Sequence, residues 1–346
     1  MHAQQLSSLP AEPLVTVIVP SLNQGAYLDD CIQSVLSQDY PRIEIRIIDA
    51  VSTDETLHVL HSYDTDPRVF WLSEPDRGYA DAVNKGLAQA KGELIGVQSA
   101  DDFYASGAIR EAVELFSQRP GLAMVSGTFI RVNEQGRPIG RYDALHDEQW
   151  LTVEQCARTG NMPCQSACLF RRDLATSIGG CDPEVDWVAD HDLQIRMIAA
   201  ASRLGGRTLK LDRDWAFVRT HANQRSQHRL RFKQAFVRAC IRYQTEPHDL
   251  FAESERKLML QQALWGEFRF RTRELGHGLR ALPAFLRGIR HPSDPGAPLV
   301  SWAELPWLLP FGIGSRIIRG ITWRLNAARP QDTAAAIWPA SARWFA

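Results

Sequence analysis

Residues 15–49 decide the fold, and they read VTVIVPSLNQGAYLDDCIQSVLSQDYPRIEIRIID. The segment begins with a short β-branched run that ends in proline, and it closes with an alternating run that ends in an acid. Both runs are typical of β-strands. Between them Leu28, Ile32 and Val35 recur at helical spacing, which predicts a helix over residues 26–38. The segment therefore predicts a strand, a helix and a second strand.

The same alternation continues to about residue 126. We predict helices at 53–61, 78–91 and 106–118 and strands at 69–72, 94–98 and 122–126. Alternating units of this kind favour an α/β fold in which a mainly parallel sheet has helices on both faces. Beyond residue 127 the pattern loosens, and one further helix is predicted at 187–200.

Polar side chains follow four consecutive predicted strands. Asn23 follows the first strand, Asp49 closes the second, Asp76 follows the third, and Asp101 and Asp102 follow the fourth. Taken singly, each is as well explained by a turn or a helix cap. Ligands of such sheets bind at the carboxyl ends of the strands, so the four together predict a ligand site.

Asp101 and Asp102 form an adjacent acidic pair after an apolar strand. Adjacent carboxylates repel each other unless a cation or a hydrogen-bonding ligand is present. The pair therefore suits Mg²⁺ or Mn²⁺ bridging a diphosphate. The alternative is an exposed acidic turn that precedes the next helix.

Five ordered segments carry a family resemblance. They are VTVIVPSLNQGAYLDDCIQSVLSQDYPRIEIRIIDAVSTDET (15–56), EPDRGYADAVNKGLAQAKGELIGVQSADDFY (74–104), QSACLFRRDLATSIGGCDPEV (165–185), ADHDLQIRM (189–197) and VRTHANQRS (218–226). In these segments the sequence resembles the family-2 glycosyltransferases, the inverting nucleotide-sugar enzymes of GT-A fold. The resemblance covers residues 13–226 and implies a Rossmann-like GT-A sheet, followed here by a helical C-terminal segment.

The resemblance implies a donor site built from eight residues. Pro20, Ser21 and Asn23 would border the nucleotide, Asp49 would hold the base of a uridine-type nucleotide, Asp76, Asn84 and Lys85 would line the donor pocket, and Asp101 would face the ribose or the sugar. We accordingly expect a nucleotide-sugar donor as the first partner.

The resemblance also implies a metal site and a catalytic base. Asp102 would be the main ligand of Mg²⁺ or Mn²⁺, and His221 matches a position that completes the metal site or touches the diphosphate. A partly buried strand-end histidine is the alternative for His221. Asp190 aligns with the base that takes the proton of the acceptor hydroxyl. Asp190 and Asp192 are two residues apart near a helix start and therefore point in different directions, so only one of them can be the base. The alternative is that both are ordinary acids at a helix N-terminus.

Two departures from the family pattern concern the donor and the acceptor. Where similar proteins usually have Asp-Asp-Gly-Ser or Asp-Gly-Gly-Ser, this chain has Asp49-Ala50-Val51-Ser52, with a β-branched residue in place of the glycine. The glutamate that often precedes the base is Ala189 here. These changes bear on nucleotide preference and acceptor choice.

Charge divides the chain into two parts. The net charge is −1, yet residues 1–221 hold 20 basic and 31 acidic residues, a net of −11, and residues 222–346 hold 19 and 9, a net of +10. We predict a disordered leader at 1–12, a catalytic domain at 13–226 and a basic, Trp-rich helical region at 227–346. This last region either lies on an anionic membrane surface or folds back on the acidic domain. Its most apolar stretch, residues 305–315, is too short and too interrupted by proline to span a membrane.

These observations predict an inverting glycosyltransferase that moves a sugar from a nucleotide-diphosphate sugar, with UDP expected, to the hydroxyl of a glycan or lipid-linked acceptor. The resemblance places this reaction in surface polysaccharide or glycolipid assembly. With no visible secretory signal, we expect a cytoplasmic protein with peripheral attachment to the inner face of the membrane, and no nucleic-acid partner. The alternatives are an inactive nucleotide-sugar-binding scaffold and a nucleotidyltransferase, although SLNQGAYLDD after the first strand lacks the basic, glycine-rich loop of the latter.

Overall fold

The computed structural model describes residues 6–141, 148–222, 224–245, 250–273, 290–291 and 294–298. The chain forms two compact units. The first contains residues 1–153 and 162–227, and the second contains residues 154–161 and 228–346. All of the predicted site residues belong to the first unit.

The first unit is built on a ten-stranded mixed sheet. Its strands are β1 (Val15–Ser21), β2 (Ile43–Asp49), β3 (Val69–Ser73), β4 (Leu94–Val97), β5 (Phe103–Tyr104), β6 (Leu122–Val132), β7 (Pro138–Arg141), β8 (Gln149–Leu151), β9 (Cys168–Arg171) and β10 (Arg207–Arg219). The order is β3-β2-β1-β4-β9-β6-β10-β5, with β7 beside β6 and β8 beside β10. The neighbours β3, β2, β1 and β4 are parallel, as are β6 and β10, whereas β9 is antiparallel to both β4 and β6.

The helices follow the predicted alternation. Within the described residues they are α1 (Gly25–Leu36), α2 (Thr56–His61), α3 (Tyr79–Gln89), α4 (Ala108–Gln118), α5 (Val153–Thr159), α6 (Arg172–Ser177), α7 (Ala189–Arg203), α8 (Arg229–Thr245) and α9 (Glu253–Arg273). A 3-10 helix over Pro183–Val188 leads directly into α7 and is started by Asp182, whose carboxylate accepts from the Glu184 N–H. The α/β fold class is confirmed.

The core lies between the parallel strands and α1. Val15, Val17 and Val19 on alternate positions of β1 are fully buried, as are Leu28 and Ile32 on one face of α1. They belong to one hydrophobic cluster. Full burial of each such side chain stabilises the fold by about 1.5–3 kcal/mol. The period of two in the strands and of about 3.6 in the helix thus accounts for this packing.

The register of the parallel strands aligns their polar ends. Ser21, the last residue of β1, lies opposite Asp49, the last residue of β2, and Asp49 in turn lies opposite Ser73 of β3. The loop that follows β4 carries Asp101 and Asp102, and Arg219 ends β10 nearby, with its backbone N–H bonded to Asp102. The sheet therefore gathers residues from four strands at one edge.

The N-terminal segment differs from the prediction of disorder in its described part, residues 6–12. Arg171 donates to the carbonyl oxygen and to the hydroxyl of Ser7, and the Ser7 hydroxyl donates to Asp173. Leu9 packs against the main hydrophobic cluster. Ser7 thus attaches this segment to β9 and α6, and Leu9 attaches it to the core.

The described part of the second unit is mainly helical. Within it, Arg229 of α8 places its guanidinium 5.3 Å from the centroid of the Phe270 ring of α9, and the rings of Tyr243 and Phe251 are 4.8 Å apart. Two short strands, Arg290–His291 and Asp294–Pro298, pair antiparallel. Among the described residues, no helix combines the length and the apolar character needed to cross a membrane. The apolar stretch 305–315 and the tryptophans beyond residue 299 lie outside the described residues.

Candidate active site

The turn that follows β2 is held together by the carboxylate of Asp49. This side chain is fully buried and accepts three hydrogen bonds, from the Ser52 N–H (3.0 Å), from the Ser52 hydroxyl and from the Ser73 hydroxyl (2.6 Å). The Ser52 hydroxyl also accepts from the N–H of Asn23 (2.7 Å), and Asn23 Oδ1 accepts from the N–H of Thr53 (2.9 Å). Asp49 and Asn23 therefore join the ends of β1 and β2.

Ser21 leaves a polar atom unused at this edge. Its residue is 5% exposed, and its hydroxyl oxygen is buried without a hydrogen-bond partner. Buried polar groups are normally paired because an unpaired one costs about 1–3 kcal/mol. A hydroxyl in this position fits a ligand that supplies the missing bond. Pro20, the preceding residue, is half-buried and pairs with Ile48 in the parallel ladder.

Asp101 and His221 form the titratable pair of the site. Nε2 of His221 lies 2.9 Å from Oδ2 of Asp101, and the side chains are 5% and 15% exposed respectively. The Tyr27 ring covers the imidazole at a centroid distance of 5.0 Å. A carboxylate oxygen and an imidazole nitrogen at this separation are suited to share one divalent cation.

Asp102 lies on the other side of the same turn, inside the protein. It is 5% exposed, and its two oxygens accept from the Ser166 hydroxyl (2.7 Å) and from the backbone N–H of Arg219 (2.9 Å). Burial, and then the charge of Asp101, raise the pKa of Asp102 well above its ordinary value. Each of its oxygens has one protein donor and keeps a lone pair, so the expectation that Asp102 is the main metal ligand stays a prediction, although Asp102 is the more buried acid of the pair. Asp101 is the member of the pair that meets His221.

Arg219 fixes the turn that carries both acids. Its guanidinium donates to the carbonyl oxygens of Asp101 (2.9 Å) and Glu134 and to the carboxylate of Asp30 on α1 (2.7 Å). The side chain is 2% exposed and lies 4.8 Å from the centroid of the Tyr27 ring. One arginine therefore ties the acidic turn to α1 and to the loop after β6.

The three predicted donor residues after β3 bond mainly to protein groups. Asp76 accepts from the N–H of Gly78 (2.9 Å) just before α3. Asn84 uses both ends of its amide on the backbone of Cys181, donating to its oxygen and accepting from its N–H, each at 2.8 Å. Lys85 donates to the Pro75 oxygen (2.8 Å) and pairs with Glu74. Asn84 and Lys85 thus join α3 to neighbouring segments. Their hydrogen-bond partners do not include Asp101 or His221.

Asp190 and Asp192, both in the first turn of α7, have separate surroundings. Asp190 is 27% exposed, and its Oδ2 lies 3.1 Å from Nδ1 of His191. Asp192 is 3% exposed and accepts from Arg196 (2.8 Å), which also donates to the oxygens of Ile178 and Gly180. Asp192 is therefore a buried structural acid, and Asp190 is the acid of this turn that remains accessible.

The Asp190–His191 pair shifts the pKa of each partner. Burial raises the pKa of Asp190, but the charge and hydrogen bond of His191 outweigh it and leave that pKa below its ordinary value. Burial lowers the pKa of His191, but the charge of Asp190 outweighs it and leaves that pKa above its ordinary value. Asp190 is therefore ionised at neutral pH.

A small cavity lies beside Asp190. Asp190 lines it together with Tyr79, Val97 and Gln165. Val97 is the last residue of the strand that leads to Asp101, and Gln165 directly precedes Ser166, which bonds to Asp102. The cavity therefore lies near sequence neighbours of the acidic turn, although neither Asp101 nor Asp102 lines it.

Comparison with known proteins identifies the domain. The sequence profile of "Glycosyl transferase family 2" matches residues 16–179. Residues 16–179 form a domain of this family. The match covers β1 to α6, so Asp190 and His221 lie beyond it, and their assignment depends on their contacts. All eight predicted donor residues fall inside the match.

Two relatives of this glycosyltransferase illustrate the similarity. The Escherichia coli chondroitin synthase is 26% identical over 192 residues, which are 55% of this chain and 27% of the relative. A putative teichuronic acid biosynthesis glycosyltransferase, TuaG of Bacillus subtilis, is 29% identical over 162 residues, which are 46% of this chain and 63% of TuaG. The chain therefore spans less than two thirds of the length of either relative.

Solved structures support the GT-A fold. The structure of S. aureus TarS 1-349 in complex with UDP aligns with a TM-score of 0.64 at 15% identity and covers 89% of this chain and 87% of that one. A mannosyltransferase from Pyrobaculum calidifontis, solved with GDP-Man and Mn²⁺, aligns with a TM-score of 0.53 at 18% identity and covers 92% of this chain and 88% of that one. At these identities the likeness shows the fold of the glycosyltransferase.

Three residues of the site had no role in the sequence prediction. Arg219, Ser166 and His191 all lie inside segments that carry the family resemblance. Arg219 stands two residues before His221, Ser166 is the second residue of the QSA segment, and His191 directly follows the base candidate. For Arg219 and His191, position near an assigned residue was the available signal, whereas Ser166 had no such neighbour. The partners of Arg219 and Ser166 are distant in sequence and became visible only in the structure.

Proposed function

We propose that this protein transfers a sugar from a nucleotide-diphosphate sugar, with UDP as the expected nucleotide, to an acceptor hydroxyl with inversion at the anomeric carbon. The observation that carries the proposal is the Asp101–His221 contact of 2.9 Å at the carboxyl edge of a family-2 domain. UDP is bound in the TarS structure of the same fold, which supports the choice of nucleotide. The catalytic domain is proposed to be residues 13–226.

Asp101 and His221 are the residues we propose to hold Mg²⁺ or Mn²⁺. They offer one oxygen and one nitrogen, and the described residues include no group of three or more His, Cys, Asp or Glu side chains arranged to bind a metal. Two protein ligands suit a cation whose remaining positions go to the diphosphate and to water. When bound, the cation neutralises the negative charge that develops on the leaving diphosphate. The fit with the donor chemistry is the reason for preferring Asp101 to the buried Asp102.

Asp190 is proposed to act as the general base. The acceptor hydroxyl must lose its proton while its oxygen attacks the anomeric carbon from the face opposite the diphosphate, so a carboxylate must stand on the acceptor side. Asp190 is ionised, partly accessible and on a different element from the metal pair. Ser21, Asn23 and the strand edge next to Asp49 are proposed to bind the nucleotide, with the unpartnered Ser21 hydroxyl as the supporting observation.

Release of UDP from a panel of UDP-sugars with Mn²⁺ or Mg²⁺ tests the function. We expect slow hydrolysis by the full-length protein, a loss of about 10²–10⁴-fold in turnover for Asp190→Asn, and a weakened metal dependence for Asp101→Asn. Asp39→Asn, a change at an exposed acid on the surface, is the matched control and keeps the wild-type rate.

Each alternative has its own outcome in that assay. Near-normal UDP release by Asp190→Asn contradicts its role as the base. Binding of UDP-sugars by the wild-type protein without any turnover supports a scaffold function, and release of pyrophosphate supports a nucleotidyltransferase. Circular dichroism of each variant separates a lost group from a lost fold.

The acceptor is proposed to be a glycan or a lipid-linked glycan of a surface polysaccharide. The relatives named for chondroitin and teichuronic acid synthesis support this class of product. The region 227–346 is proposed to bind an anionic membrane surface, and α8, with Arg229, Arg231 and Arg238 exposed, supplies positive charge. Flotation of the full chain with anionic but not with neutral liposomes is the expected result, and absence of flotation with both contradicts membrane attachment.

A further inference from the structure

Gln194 of α7 has a buried side-chain oxygen that no protein group serves. The residue is 4% exposed, and among the residues that the structure describes none donates to its Oε1 atom. Buried side-chain oxygens are normally paired, because folding removes the water molecules that bond to them in the unfolded chain. An unserved acceptor inside a helical domain therefore indicates a bound molecule that supplies the hydrogen.

This oxygen belongs to the same helix face as the proposed base. Gln194 follows Asp190 by four residues in α7, so the two side chains are neighbours on one face of the helix. Both also line the small cavity beside Asp190. A carboxamide oxygen and a carboxylate are both acceptors and cannot bond to each other. One molecule with two hydrogens can serve both of them.

The cavity has the size and the polar groups that a single water molecule needs. Its volume is about 10 Å³, which is close to the smallest space that holds one water. Tyr79 and Gln165 line it as well and carry donors from which the water oxygen can accept. The remaining lining residues are apolar and include Val83 and Leu193, which are 2% and 4% exposed. The polar partners of the cavity thus meet the two to four contacts that an internal water requires.

We propose that this cavity holds one water molecule that donates one hydrogen to Gln194 Oε1 and the other to the Asp190 carboxylate, and that Gln194 is a positioning residue for Asp190. The inference rests on the proposed function, since it takes Asp190 as the base. Oδ2 of Asp190 already lies 3.1 Å from Nδ1 of His191. A fixed water adds a second contact and restricts the rotation of the carboxylate. This matters because a general base must meet the acceptor hydroxyl at hydrogen-bond distance.

Two different substitutions should remove the same water. Gln194→Met keeps the length of the side chain and removes the acceptor, whereas Val83→Ile adds a methylene group to the lining and leaves Gln194 in place. Each should lower kcat by about 10-fold and leave the KM for the UDP-sugar unchanged, because the orientation of the base is altered and the donor site is not. Since both act through one water, the double variant should lose no more than either single variant.

Thermal unfolding distinguishes an occupied cavity from a dry one. In a dry cavity Gln194→Met would remove an unpaired buried acceptor, and the melting temperature would rise by more than about 2 °C. With the water in place the acceptor is already satisfied in the wild type, so we expect the melting temperature of Gln194→Met to stay the same or to fall.

Steady-state UDP release with Mn²⁺ and a high-resolution crystal structure of the full chain test the proposal. Val113→Ile on α4 is the matched control, because Val113 is 6% exposed in the main hydrophobic cluster and does not line the cavity, and it should keep the wild-type kcat. Water density within hydrogen-bond distance of Gln194 Oε1 and the Asp190 carboxylate is the expected result.

A cavity without water density, a Gln194→Met protein with the wild-type kcat, or additive losses in the double variant would overturn the inference and leave the proposed function standing. A wild-type protein that releases no UDP from any UDP-sugar, or an Asp190→Asn protein that works at a near-normal rate, would overturn the proposed function and with it the positioning role of Gln194.

Discussion

Replacing Arg219 by methionine should destabilise the protein and disturb its metal dependence together. The guanidinium is 2% exposed and serves three acceptors, two backbone carbonyl oxygens and the carboxylate of Asp30. Methionine keeps much of the apolar volume and removes every donor. The variant therefore isolates the hydrogen bonds from the packing.

The magnitude follows from the acceptors that are left behind. Each of the two carbonyl oxygens loses a bond from a charged donor, worth about 1.5–3 kcal/mol. The Asp30 carboxylate is 62% exposed, so water replaces most of that contact and its loss adds about 0–1 kcal/mol. Because such contributions are not additive, we expect the free energy of unfolding to fall by about 3–5 kcal/mol.

Urea unfolding of the full chain, followed by circular dichroism, measures this loss. Arg68→Met is the matched control, since Arg68 is 44% exposed and pairs with Asp66 at the surface, and we expect it to cost less than about 1 kcal/mol. In the UDP-release assay, Arg219→Met should need a Mn²⁺ concentration at least about tenfold higher for half-maximal rate, because the turn that carries Asp101 is no longer held. Loss of less than about 1 kcal/mol with unchanged Mn²⁺ dependence would refute the positioning role of Arg219.

Three further predictions concern α7 and its neighbours. Asp192→Asn breaks a buried ion pair and should lower the free energy of unfolding by about 3–5 kcal/mol in urea titrations, and a stability equal to wild type would contradict its structural role. The turnover of the wild type should rise as pH rises through the raised pKa of His191, because loss of the His191 proton makes the Asp190 carboxylate a stronger base. The pH profile of His191→Asn should lack this rise. A profile identical to that of the wild type would contradict an effect of His191 on Asp190. Gly180→Ala should lower the free energy of unfolding by more than about 1 kcal/mol in thermal unfolding, because φ is +68° and an added Cβ would lie 2.4 Å from Asn84 Oδ1. An unchanged stability would show that the Asn84 side chain can move away from the added Cβ.

The Asp190–His191 pair also predicts how stability depends on pH. A lowered carboxyl pKa contributes stability above the ordinary aspartate value, and this is lost as pH falls through the lowered pKa. A raised histidine pKa contributes stability below the ordinary histidine value, and this is lost as pH rises through the raised pKa. The pair therefore stabilises the fold between these two limits.

The parallel half of the sheet could be predicted because local pattern decides it. The β-branched runs predict β1 and β2 as strands, and the helical spacing predicts α1 between them. Because the two strands are parallel neighbours, their carboxyl ends lie side by side. The antiparallel strand β9 was not predicted. Its four residues, Cys168–Arg171, are too few to show a period, and its place between β4 and β6 is fixed by pairing with strands that begin about 74 and 46 residues earlier in the chain. Pairing between strands that are so distant in sequence cannot be recognised from a local sequence pattern.

The choice between Asp101 and Asp102 shows the same limit within the site. The two residues are chemically identical neighbours, and sequence alone indicates only that one of them faces a ligand. The donors that turn Asp102 inward come from Ser166 and Arg219, at separations of 64 and 117 residues. An adjacent pair of acids can therefore be recognised as a site from sequence, whereas the division of roles depends on contacts from distant segments.

The acids of the candidate site differ in the partners of their carboxylates. Two carboxylates, those of Asp101 and Asp190, lie against histidines, His221 and His191, at 2.9 and 3.1 Å. An imidazole nitrogen is also a common metal ligand, so a histidine partner can exchange this contact for another. Each of the other three is fully or almost fully buried and accepts from hydroxyls, backbone N–H groups or arginine, which keep their protons at neutral pH; these are Asp49, Asp102 and Asp192. Because a fixed donor cannot leave without exposing a buried, unpaired group, the contacts of these three acids stabilise the fold, whereas Asp101 and Asp190 are the two acids for which we propose roles in metal binding and catalysis.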